Sequence, residues 1–374
     1  MISLGQLFVM STGKILFITP YPLGKAPSQR FRFEQYFDLL KKQGLIPVSA
    51  PFFSEKGWKI LYKKSPVLLK SFYFLSGIFN RLLLLLTLSR YHFIFIHREV
   101  VPLGPPVFEW IISKILGKKI IFDFDDAIWL NDPQEKISLL TFLKWKSKVK
   151  HVIQWSYKIS CGNDFLATFA RQFNSRIIVN PTTIDTRTLH NPPLFKLNTP
   201  EDKENGQKLI IGWTGTHTTL PYLEYLLPVF KQLEKEFDFE LLVIANKQPN
   251  FSLPSLRFKY WNKETEIEDL LAVSIGVMPL SNDPWSQGKC GFKALQFMAL
   301  NIPCVCSPVG VNSSIIEHGH NGLLCDTHEE WMAGLATLIK NETLRKLMGE
   351  KGRQKVIQSF SVDSNTSNFF SLFE

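Results

Sequence analysis

The chain is poor in the features that would narrow its class at once. It has five cysteines among 374 residues, an odd number that does not suit a disulfide framework. We expect them to be reduced core thiols of a cytosolic protein. Cys304 and Cys306 lie on one predicted strand, where we expect them to face opposite ways, which argues against a shared metal site. We find no solenoid repeat, low-complexity tract or secretory signal pattern.

Acidic residues are scarce in the first half of the chain. Residues 1–200 contain 27 Lys and Arg against 12 Asp and Glu, a balance of +15, whereas residues 201–374 contain 16 against 21, a balance of −5. This asymmetry predicts that the first half meets an anionic surface. A soluble basic domain with scattered charges is the alternative. No nucleic-acid recognition module is recognisable, so we expect no nucleic-acid partner.

An uninterrupted apolar stretch of membrane-spanning length is also missing. The segment from Trp58 to Arg90 has long apolar runs flanked by basic residues, but Asn80 and Arg81 interrupt them. This pattern favours an interfacial helix over a spanning one. We therefore expect a cytoplasmic protein that attaches peripherally to the anionic inner face of a membrane. The alternative is that the leucine run 82–86 belongs to a core helix.

The chain is too long for a single core, and its apolar runs predict two domains. Runs that are apolar on both faces, each followed by a helix-like stretch, are typical of parallel strands covered by helices. Two series of them predict two doubly wound α/β domains, joined by a proline-rich and charged linker at residues 191–207. The predicted strands are Ile15–Thr19, Phe93–His97, Ile120–Phe124, Lys158–Cys161 and Ile177–Asn180, then Leu209–Trp213, Leu241–Ala245, Ile275–Leu280 and Pro303–Ser307.

Ligands bind beyond the carboxyl ends of strands in such sheets, so polar residues there are candidates. Ser28, Arg30 and Arg32 follow the first strand and are suited to a substrate phosphate or a lipid headgroup, although local pairing of the arginines is an equal alternative.

Ionisable residues also end two later strands of this series. His97 ends one, and Asp125 and Asp126 follow the next, which suits proton transfer or hydrogen bonds to sugar hydroxyls. A divalent metal ranks lower, because no further acidic ligand set is evident nearby in the sequence.

The most informative stretch is 288–324, GKCGFKALQFMALNIPCVCSPVGVNSSIIEHGHNGLL. It predicts a loop with Lys289 and Lys293, a short helix, a buried strand, a glycine turn and a second helix. The N–H groups at a helix start carry partial positive charge, and the two lysines add full charges there. The stretch therefore predicts a seat for a diphosphate in the second domain.

That stretch, preceded by DLLAVSIGVMPL, resembles the GT-B glycosyltransferases, and within them the large retaining family four, of the glycosyltransferase group 1 type. The motifs FDFDDAIW, CGNDFLA and VNPTTID look like those of one subgroup, so the resemblance covers essentially the whole chain. It implies two Rossmann-like domains facing across a cleft: an acceptor-binding domain at 1–195 and a nucleotide-sugar-binding domain at 196–357. A C-terminal helix at 358–374 would pack back on the first domain.

The resemblance implies a retaining hexosyltransferase that needs neither cofactor nor metal. It would move a hexose from a nucleotide-sugar to a membrane-associated, polysaccharide or glycolipid acceptor. Lys293 or Lys289 would neutralise the departing diphosphate, and Asp125, Asp126 and His97 would serve the acceptor side. The implied donor-binding residues are Gly215, Thr216, His217, Asn246, Lys247, Gly291, Phe292, Gln296, Gly310 and Glu317, and the acceptor-binding ones are Ser28, Arg30 and Arg32.

Two departures from the family pattern keep other functions open. Gly288 and Gln296 occupy the positions of two family glutamates, and the stretch 212–218 lacks the usual arginine and lysine. A non-catalytic sugar-nucleotide-binding subunit of a glycan assembly system is therefore the main alternative. A nucleic-acid-binding protein and a sugar-nucleotide epimerase of the same architecture are further ones.

Overall fold

The computed structural model describes residues 13–62, 65–133, 139–194 and 208–374. Contacts between residues divide the chain into two units. Unit 1 consists of Met1–Asn131, Ile137–Pro181 and Thr366–Glu374, and unit 2 of Asp132–Lys136 and Thr182–Asn365.

Unit 1 is built on a six-stranded sheet in which every pairing is parallel. The strand order is β2-β1-β3-β4-β5-β6. Its strands are β1 (Gly13–Thr19), β2 (Leu45–Pro51), β3 (Phe93–His97), β4 (Lys119–Phe124), β5 (Lys158–Cys161) and β6 (Ile177–Val179). Its helices are α1 (Pro27–Arg32), α2 (Phe37–Lys42), α3 (Glu55–Tyr62), α4 (Val67–Leu85), α5 (Val107–Trp110), α6 (Leu139–Leu143), α7 (Lys148–Trp155) and α8 (Asp164–Arg171).

The core of unit 1 is rich in phenylalanine. Phe17 on β1 contacts the rings of Phe33 and Phe95, and all three side chains are fully buried. Burying a side chain of this size contributes about 1.5–3 kcal/mol. The last residues of the chain join this core, since the ring of Phe369 stacks on Tyr36 with ring centroids 4.2 Å apart.

Unit 2 has a second six-stranded parallel sheet, in the order β12-β11-β10-β7-β8-β9. Its strands are β7 (Leu209–Gly215), β8 (Phe239–Ala245), β9 (Leu256–Tyr260), β10 (Ile275–Met278), β11 (Cys304–Cys306) and β12 (Leu323–Leu324). Its helices are α9 (Leu220–Glu224), α10 (Leu227–Leu233), α11 (Glu266–Leu271), α12 (Pro284–Gln287), α13 (Phe292–Ala299), α14 (Asn312–Ile315), α15 (His328–Lys340) and α16 (Glu342–Lys355), and α17 (Val362–Phe370) begins in unit 2 and ends in unit 1.

Both strand orders reverse direction once, which creates a topological switch point where ligands bind in doubly wound sheets. In unit 1 the order reverses between β1 and β3, and in unit 2 between β7 and β10. The loops that follow these four strands are therefore the places to look for function.

The doubly wound α/β fold predicted from the apolar runs is confirmed. Each of the nine predicted strands corresponds to an observed one, with ends that differ by no more than two residues. The predicted domain boundary lies after residue 195, whereas the observed division lies between Pro181 and Thr182. Arg353 accounts for this difference, because its guanidinium donates to the carbonyls of Thr186 and His190 and so ties that segment to unit 2. Residues 195–207 of the predicted linker lie outside the described residues.

One expectation about the cysteines is wrong. Cys304 and Cys306 face the same side of β11, with their Sγ atoms 3.4 Å apart, because residues two apart on a strand share a face. All five cysteines are buried free thiols. Burial, together with Cys304, raises the pKa of the Cys306 thiol well above its usual range.

The helix α4 is unusual for its exposure. Among the described residues it is the one helix whose length and composition would allow it to cross a membrane, and little of it is buried. Leu82, Leu83 and Leu86 are about half or more exposed, so the alternative of a core helix for this leucine run does not hold.

Candidate functional site

A buried polar network lies where β3, β4 and β5 of unit 1 end. The Asp123 carboxylate is fully buried and contacts His97 Nδ1 at 2.7 Å and Ser160 Oγ at 2.6 Å. Arg32 forms an ion pair with the same carboxylate and also donates to the carbonyl of Asn180. The other ring nitrogen of His97, Nε2, lies 3.3 Å from Ser28 Oγ.

The charges in this network fix the orientation of the histidine ring. Burial alone would raise the pKa of Asp123, but the Arg32 guanidinium and the His97 ring hold it well below its usual range. The carboxylate is therefore ionised and accepts the Nδ1–H of His97. The Nε2 atom of His97 faces the Ser28 hydroxyl. Ser28, His97 and Asp123 thus form a hydrogen-bonded relay that runs from a buried carboxylate through an imidazole to a hydroxyl group.

The loop that precedes Ser28 is held by side chains that follow Ser28 in the sequence. Gln29 accepts from the Tyr21 N–H and donates to the Tyr21 carbonyl, at 3.0 and 2.9 Å. Glu34 accepts from the Gly24 N–H at 2.8 Å and from Gln29 at 3.2 Å. These hydrogen bonds within unit 1 hold the segment around Ser28 in place. Ser28 itself is half-buried, so part of its surface remains exposed.

The acidic pair after β4 is engaged with an arginine. Arg98 donates to Asp125 at 2.7 Å and to Asp126 at 2.6 Å. Burial would lower the pKa of Arg98, but the two carboxylates raise it. Arg98 also has φ +64°, which a non-glycine residue rarely adopts. The three charges therefore form one constrained group at the end of the sheet that holds His97.

The structure places the three predicted acceptor residues differently from one another. Ser28 meets His97. Arg32 is 1% exposed and its guanidinium is committed to Asp123, Ser160 and Asn180, which corresponds to the alternative of local pairing. Arg30 is largely buried, with its guanidinium over the Phe31 ring.

In unit 2 the switch-point loops come together around the start of α13. The helix is preceded by Gly291 with φ +69°, and a side chain there would come within 2.2 Å of Ile315 on α14. Gly310, with φ +56°, approaches the carbonyl of Gln287, which lies 2.8 Å from the Cβ position. These two glycines allow the 310–315 segment and α12 to close in on the first turn of α13.

The two predicted diphosphate-binding lysines lie over indole rings. Lys289 Nζ is 4.8 Å from the centroid of the Trp285 ring, and Lys293 Nζ is 5.8 Å from that of Trp213. Trp213 is a buried residue of β7, so Lys293 on α13 reaches the strand that forms the switch point. Phe292 is half-buried beside it. An indole ring attracts a cation through the electrons of its face, so each contact helps to fix the position of the lysine ammonium group.

The loop after β7 is shaped by hydrogen bonds to its own threonines and to β8. A side chain at Gly215 would overlap Trp213 and Thr219, so packing requires glycine there. Thr216 and Thr218 are exposed and their hydroxyls lie 2.8 Å apart. The exposed His217 donates its backbone N–H to Asn246 Oδ1 at 2.8 Å, which joins the ends of β7 and β8.

The remaining predicted donor residues differ in exposure. Lys247 follows Asn246 and is exposed. Glu317 is exposed and pairs with Lys355 at 2.9 Å. Gln296 is 2% exposed, and its amide nitrogen lies 3.4 Å from Glu266 Oε1 and 3.5 Å from His190 Nε2. Its polar contacts therefore lie inside unit 2.

The sequence patterns assigned no role to several members of these sites, namely Asp123, Ser160 and Glu266. Asp123 lies near the end of β4, and this position after an apolar run was the one sequence signal that could have identified it. Among the described residues no group of three or more His, Cys, Asp and Glu side chains is placed to hold a metal ion.

Comparisons with known proteins point to one family for unit 2. Residues 208–341 match the family model described as glycosyl transferases group 1. In a search of curated proteins, N-acetyl-alpha-D-glucosaminyl L-malate synthase of Bacillus anthracis is 23% identical over 202 residues, which is 51% of this chain and 51% of that protein. The chain thus spans about half the length of the curated relative that it matches.

Solved structures match over nearly the whole chain. Sucrose-phosphate synthase from Thermosynechococcus elongatus has a TM-score of 0.67 at 12% identity and covers 96% of this chain and 98% of its own. Anabaena HepE, solved with UDP and glucose, has a TM-score of 0.60 at 13% identity and covers 96% and 99%. With two parallel six-stranded sheets, the chain has the GT-B fold, as the resemblance implied.

Proposed function

We propose that the protein is a retaining glycosyltransferase that moves a hexose from a nucleotide-sugar to an acceptor hydroxyl. In this reaction the bond between the sugar C1 and the diphosphate oxygen breaks, and a bond between C1 and the acceptor oxygen forms on the same face. The acceptor proton passes to the departing diphosphate, so the step balances without an oxidant or reductant, and we propose that it uses no cofactor and no metal.

The observation that carries the proposal is the first turn of α13 in unit 2. There the helix start, Lys293 and Lys289 lie at the switch point of a doubly wound sheet. Such a site attracts a diphosphate. The diphosphate gains negative charge as the sugar leaves, so a fixed cation stabilises the transition state more than the ground state. The match of residues 208–341 to glycosyl transferases group 1 supports this assignment.

We assign the acceptor to unit 1. The Ser28–His97–Asp123 relay offers a histidine nitrogen to a hydroxyl group, and the neighbouring Asp125 and Asp126 offer carboxylate oxygens that accept hydrogen bonds from sugar hydroxyls. In this proposal His97 orients the acceptor hydroxyl, whose proton passes to the departing diphosphate, and Arg98 holds the two aspartates in place.

The names of similar proteins indicate which donors to test first. Structures of HepE with UDP and with UDP-glucose have been solved, and the curated relative is named for an N-acetylglucosaminyl transfer product. UDP-glucose and UDP-N-acetylglucosamine are therefore the first candidate donors for this chain.

The proposal places the protein in the cytoplasm, on the inner face of a membrane. Five buried free thiols suit a reducing compartment. The +15 balance of residues 1–200 suits an anionic lipid surface, and with it a lipid-linked or polysaccharide acceptor.

Two measurements test the reaction. A thermal-shift screen with UDP, GDP, ADP and their sugars should show a rise in Tm with one nucleoside diphosphate, because a ligand that binds only the folded state stabilises it. The slow hydrolysis of the matching nucleotide-sugar is then followed by proton NMR. A retaining enzyme releases first the anomer that the donor carries, and release of the opposite anomer would refute retention.

The second candidate is a non-catalytic sugar-nucleotide-binding subunit. Gly288 lacks a side chain, and Gln296 makes its polar contacts inside unit 2, so both family glutamate positions lack the side chains that usually hold the donor. In that case the nucleoside diphosphate raises Tm, but neither hydrolysis nor transfer is detected with any donor of the panel.

A further inference from the structure

The helix α4 of unit 1 carries a continuous apolar stripe that faces away from its own core. At 100° per residue, the stripe lies within an arc of about 100° on the side opposite Gly77 and Arg81, the two buried residues of the helix. Leu68 is 84% exposed, Phe72 63% and Leu86 81%. The stripe consists of Leu68, Phe72, Leu75, Phe79, Leu82 and Leu86.

The opposite face of α4 contacts residues at or shortly after the ends of three neighbouring strands. A side chain at Gly77 would overlap the ring of Phe52, which follows β2. Arg81 donates to the carbonyl of Thr19, the last residue of β1, at 3.1 Å, and to that of Val100, which follows β3, at 3.0 Å. α4 therefore lies beside the carboxyl ends of β2, β1 and β3, the same end of the sheet that holds Ser28 and His97.

The buried Arg81 also rules out a spanning orientation for α4. Burial lowers the pKa of its guanidinium to about 10, and Glu109 partly offsets this effect, so it stays protonated at neutral pH. In a spanning helix this charge would lose its two carbonyl partners and enter hydrocarbon. With Arg81 held inside unit 1, the outer face of α4 is free of charge along its length.

A second exposed apolar site is connected to α4 by hydrogen bonds to a common loop. Phe142, 78% exposed, and Trp145, 46% exposed, lie at and just after the end of α6. Trp145 has φ +51°, a conformation that bulky residues rarely adopt. The loop 100–104 joins the two sites: Val100 accepts from Arg81, Val101 accepts from Lys148 at 2.9 Å, and Gly104 donates to the Leu143 carbonyl at 2.8 Å.

Both sites lie in stretches of sequence that contain no acid. Residues 56–98 contain eight Lys and Arg and no Asp or Glu, and residues 136–163 contain six lysines and no Asp or Glu. Of these, Arg81 is buried and Arg98 and Lys148 form ion pairs within unit 1, so the remaining lysines and arginines carry the argument. Apolar side chains within such basic stretches complement an anionic bilayer, where leucine and phenylalanine enter the acyl boundary and lysines meet the headgroups.

We propose that the α4 stripe together with Phe142 and Trp145 is a lipid-facing surface that lays unit 1 in the plane of an anionic bilayer. A second copy of the chain fits less well, because a two-fold interface would bring the same basic surroundings face to face. The stripe also lacks the charged flanking positions that pair helices in a coiled coil, since α4 contains no acidic residue. The surface rests on the proposed function, for which it defines the acceptor as one that a membrane presents to Ser28 and His97.

The first test is co-sedimentation of the whole chain with phosphatidylcholine vesicles, with and without phosphatidylglycerol. Wild-type protein should bind the phosphatidylglycerol vesicles, more weakly as NaCl is added. The variant Phe72→Ser/Phe79→Ser should bind at least about tenfold more weakly, because two rings leave the acyl boundary. Leu347→Ser, which changes a half-exposed leucine of α16 in unit 2, should bind like wild type.

Three outcomes would overturn the proposal: equal vesicle binding by the double variant, binding that does not depend on phosphatidylglycerol, or a wild-type dimer that the double variant converts to a monomer in analytical ultracentrifugation.

Trp145→Phe should also lose most of the blue shift of tryptophan fluorescence that vesicles cause. Phe72→Ser/Phe79→Ser and Trp145→Phe change exposed residues, so the Tm of each variant should stay close to that of wild type.

Donor hydrolysis without vesicles separates this proposal from the proposed function. If the chain hydrolyses a nucleotide-sugar but binds no vesicle, only the lipid-facing surface is refuted. If it binds vesicles through α4 but turns over no donor, only the transferase assignment is refuted.

Discussion

At the carboxyl ends of their strands the two units hold positive charge in different ways. In unit 1 the arginines meet carboxylates: Arg32 pairs with Asp123, and Arg98 with Asp125 and Asp126. In unit 2 two lysines lie over the rings of tryptophans. A carboxylate and an indole ring hold a cation by different forces. Two sheets of the same kind therefore place their cations in different surroundings, ion pairs in unit 1 and aromatic rings in unit 2.

The largest expected effect concerns the buried ion pair of unit 1. Asp123→Ala would leave the Arg32 charge buried without its carboxylate, and removing one partner of a buried pair costs about 3–5 kcal/mol. We expect the free energy of unfolding, measured by urea denaturation, to fall by that amount. Asp38→Ala removes an exposed carboxylate that pairs with Lys41 and should change little. Similar losses in both variants would show that the network does not stabilise unit 1.

The same carboxylate predicts how stability depends on pH. The folded-state pKa of Asp123 lies below its ordinary value of 3.8, so its contribution is fully present above pH 3.8 and is lost as the pH falls through the folded pKa. The stability difference between wild type and Asp123→Asn should therefore shrink as the solution is acidified below pH 3.8. A difference that stays constant to the lowest accessible pH would contradict the ion pair.

The next effect concerns the lysine at the start of α13. Lys293→Ala should lower kcat of donor turnover by roughly 10²–10³, the usual effect of losing one group that stabilises transition-state charge. Lys340→Ala is the matched control, since Lys340 also lies over an aromatic ring of unit 2, that of Phe237, but outside the switch point. Its kcat should match that of wild type. Equal kcat in both variants would show that Lys293 does not stabilise the departing diphosphate.

A smaller effect is expected from the glycine before α13. Gly291→Ala places a methyl group 2.2 Å from Ile315 at φ +69°, so both backbone strain and overpacking oppose it. Gly319→Ala has a similar φ of +79° but open space around the new methyl group, so it isolates the strain. We expect Gly291→Ala to lose about 1–3 kcal/mol more stability than Gly319→Ala. Equal losses would show that Ile315 on α14 moves to make room for the new methyl group, so that α14 does not hold the start of α13 in place.

The smallest effect compares helix caps of the two units. Asn163 caps α8 in unit 1 and Asn341 caps α16 in unit 2, each through a 2.9 Å bond to a backbone N–H. Replacing either residue with alanine should cost about 1 kcal/mol in urea denaturation. Matching values would confine the difference between the units to their strand ends, and a cap loss several times larger in one unit would show that their helices differ too.

How much of the fold was predictable depended on position in the sheet. The central strands are covered on both faces and so appear as continuous apolar runs. The three strands that the sequence pattern missed, β2, β9 and β12, all lie at a sheet edge. β2 contains two prolines, β9 alternates apolar and charged residues, and β12 has two residues. An edge strand with one exposed face does not produce a continuous run.

The sites were predictable in their location but not in their contacts. Strand ends pointed to His97 and Asp125, and the predicted helix start in the stretch 288–324 pointed to Lys293. The partners that define their chemistry lie far away in the sequence: Arg32 is 91 residues from Asp123, and Trp213 precedes Lys293 on a different element. Such pairings follow from the strand order, which periodicity alone does not give. The same limit explains why Gln296 was assigned to the donor although it contacts Glu266 and His190.

The first turn of α13 is the proposed binding site for the diphosphate of a nucleotide-sugar. Isothermal titration of UDP, GDP and ADP into wild type, Lys293→Ala and Lys340→Ala tests this proposal. We expect one of these nucleotides to bind wild type and Lys340→Ala with the same Kd, and Lys293→Ala at least about tenfold more weakly, because a charge-assisted contact is lost. An unchanged Kd in Lys293→Ala, or no binding of any of the three to wild type, would contradict it.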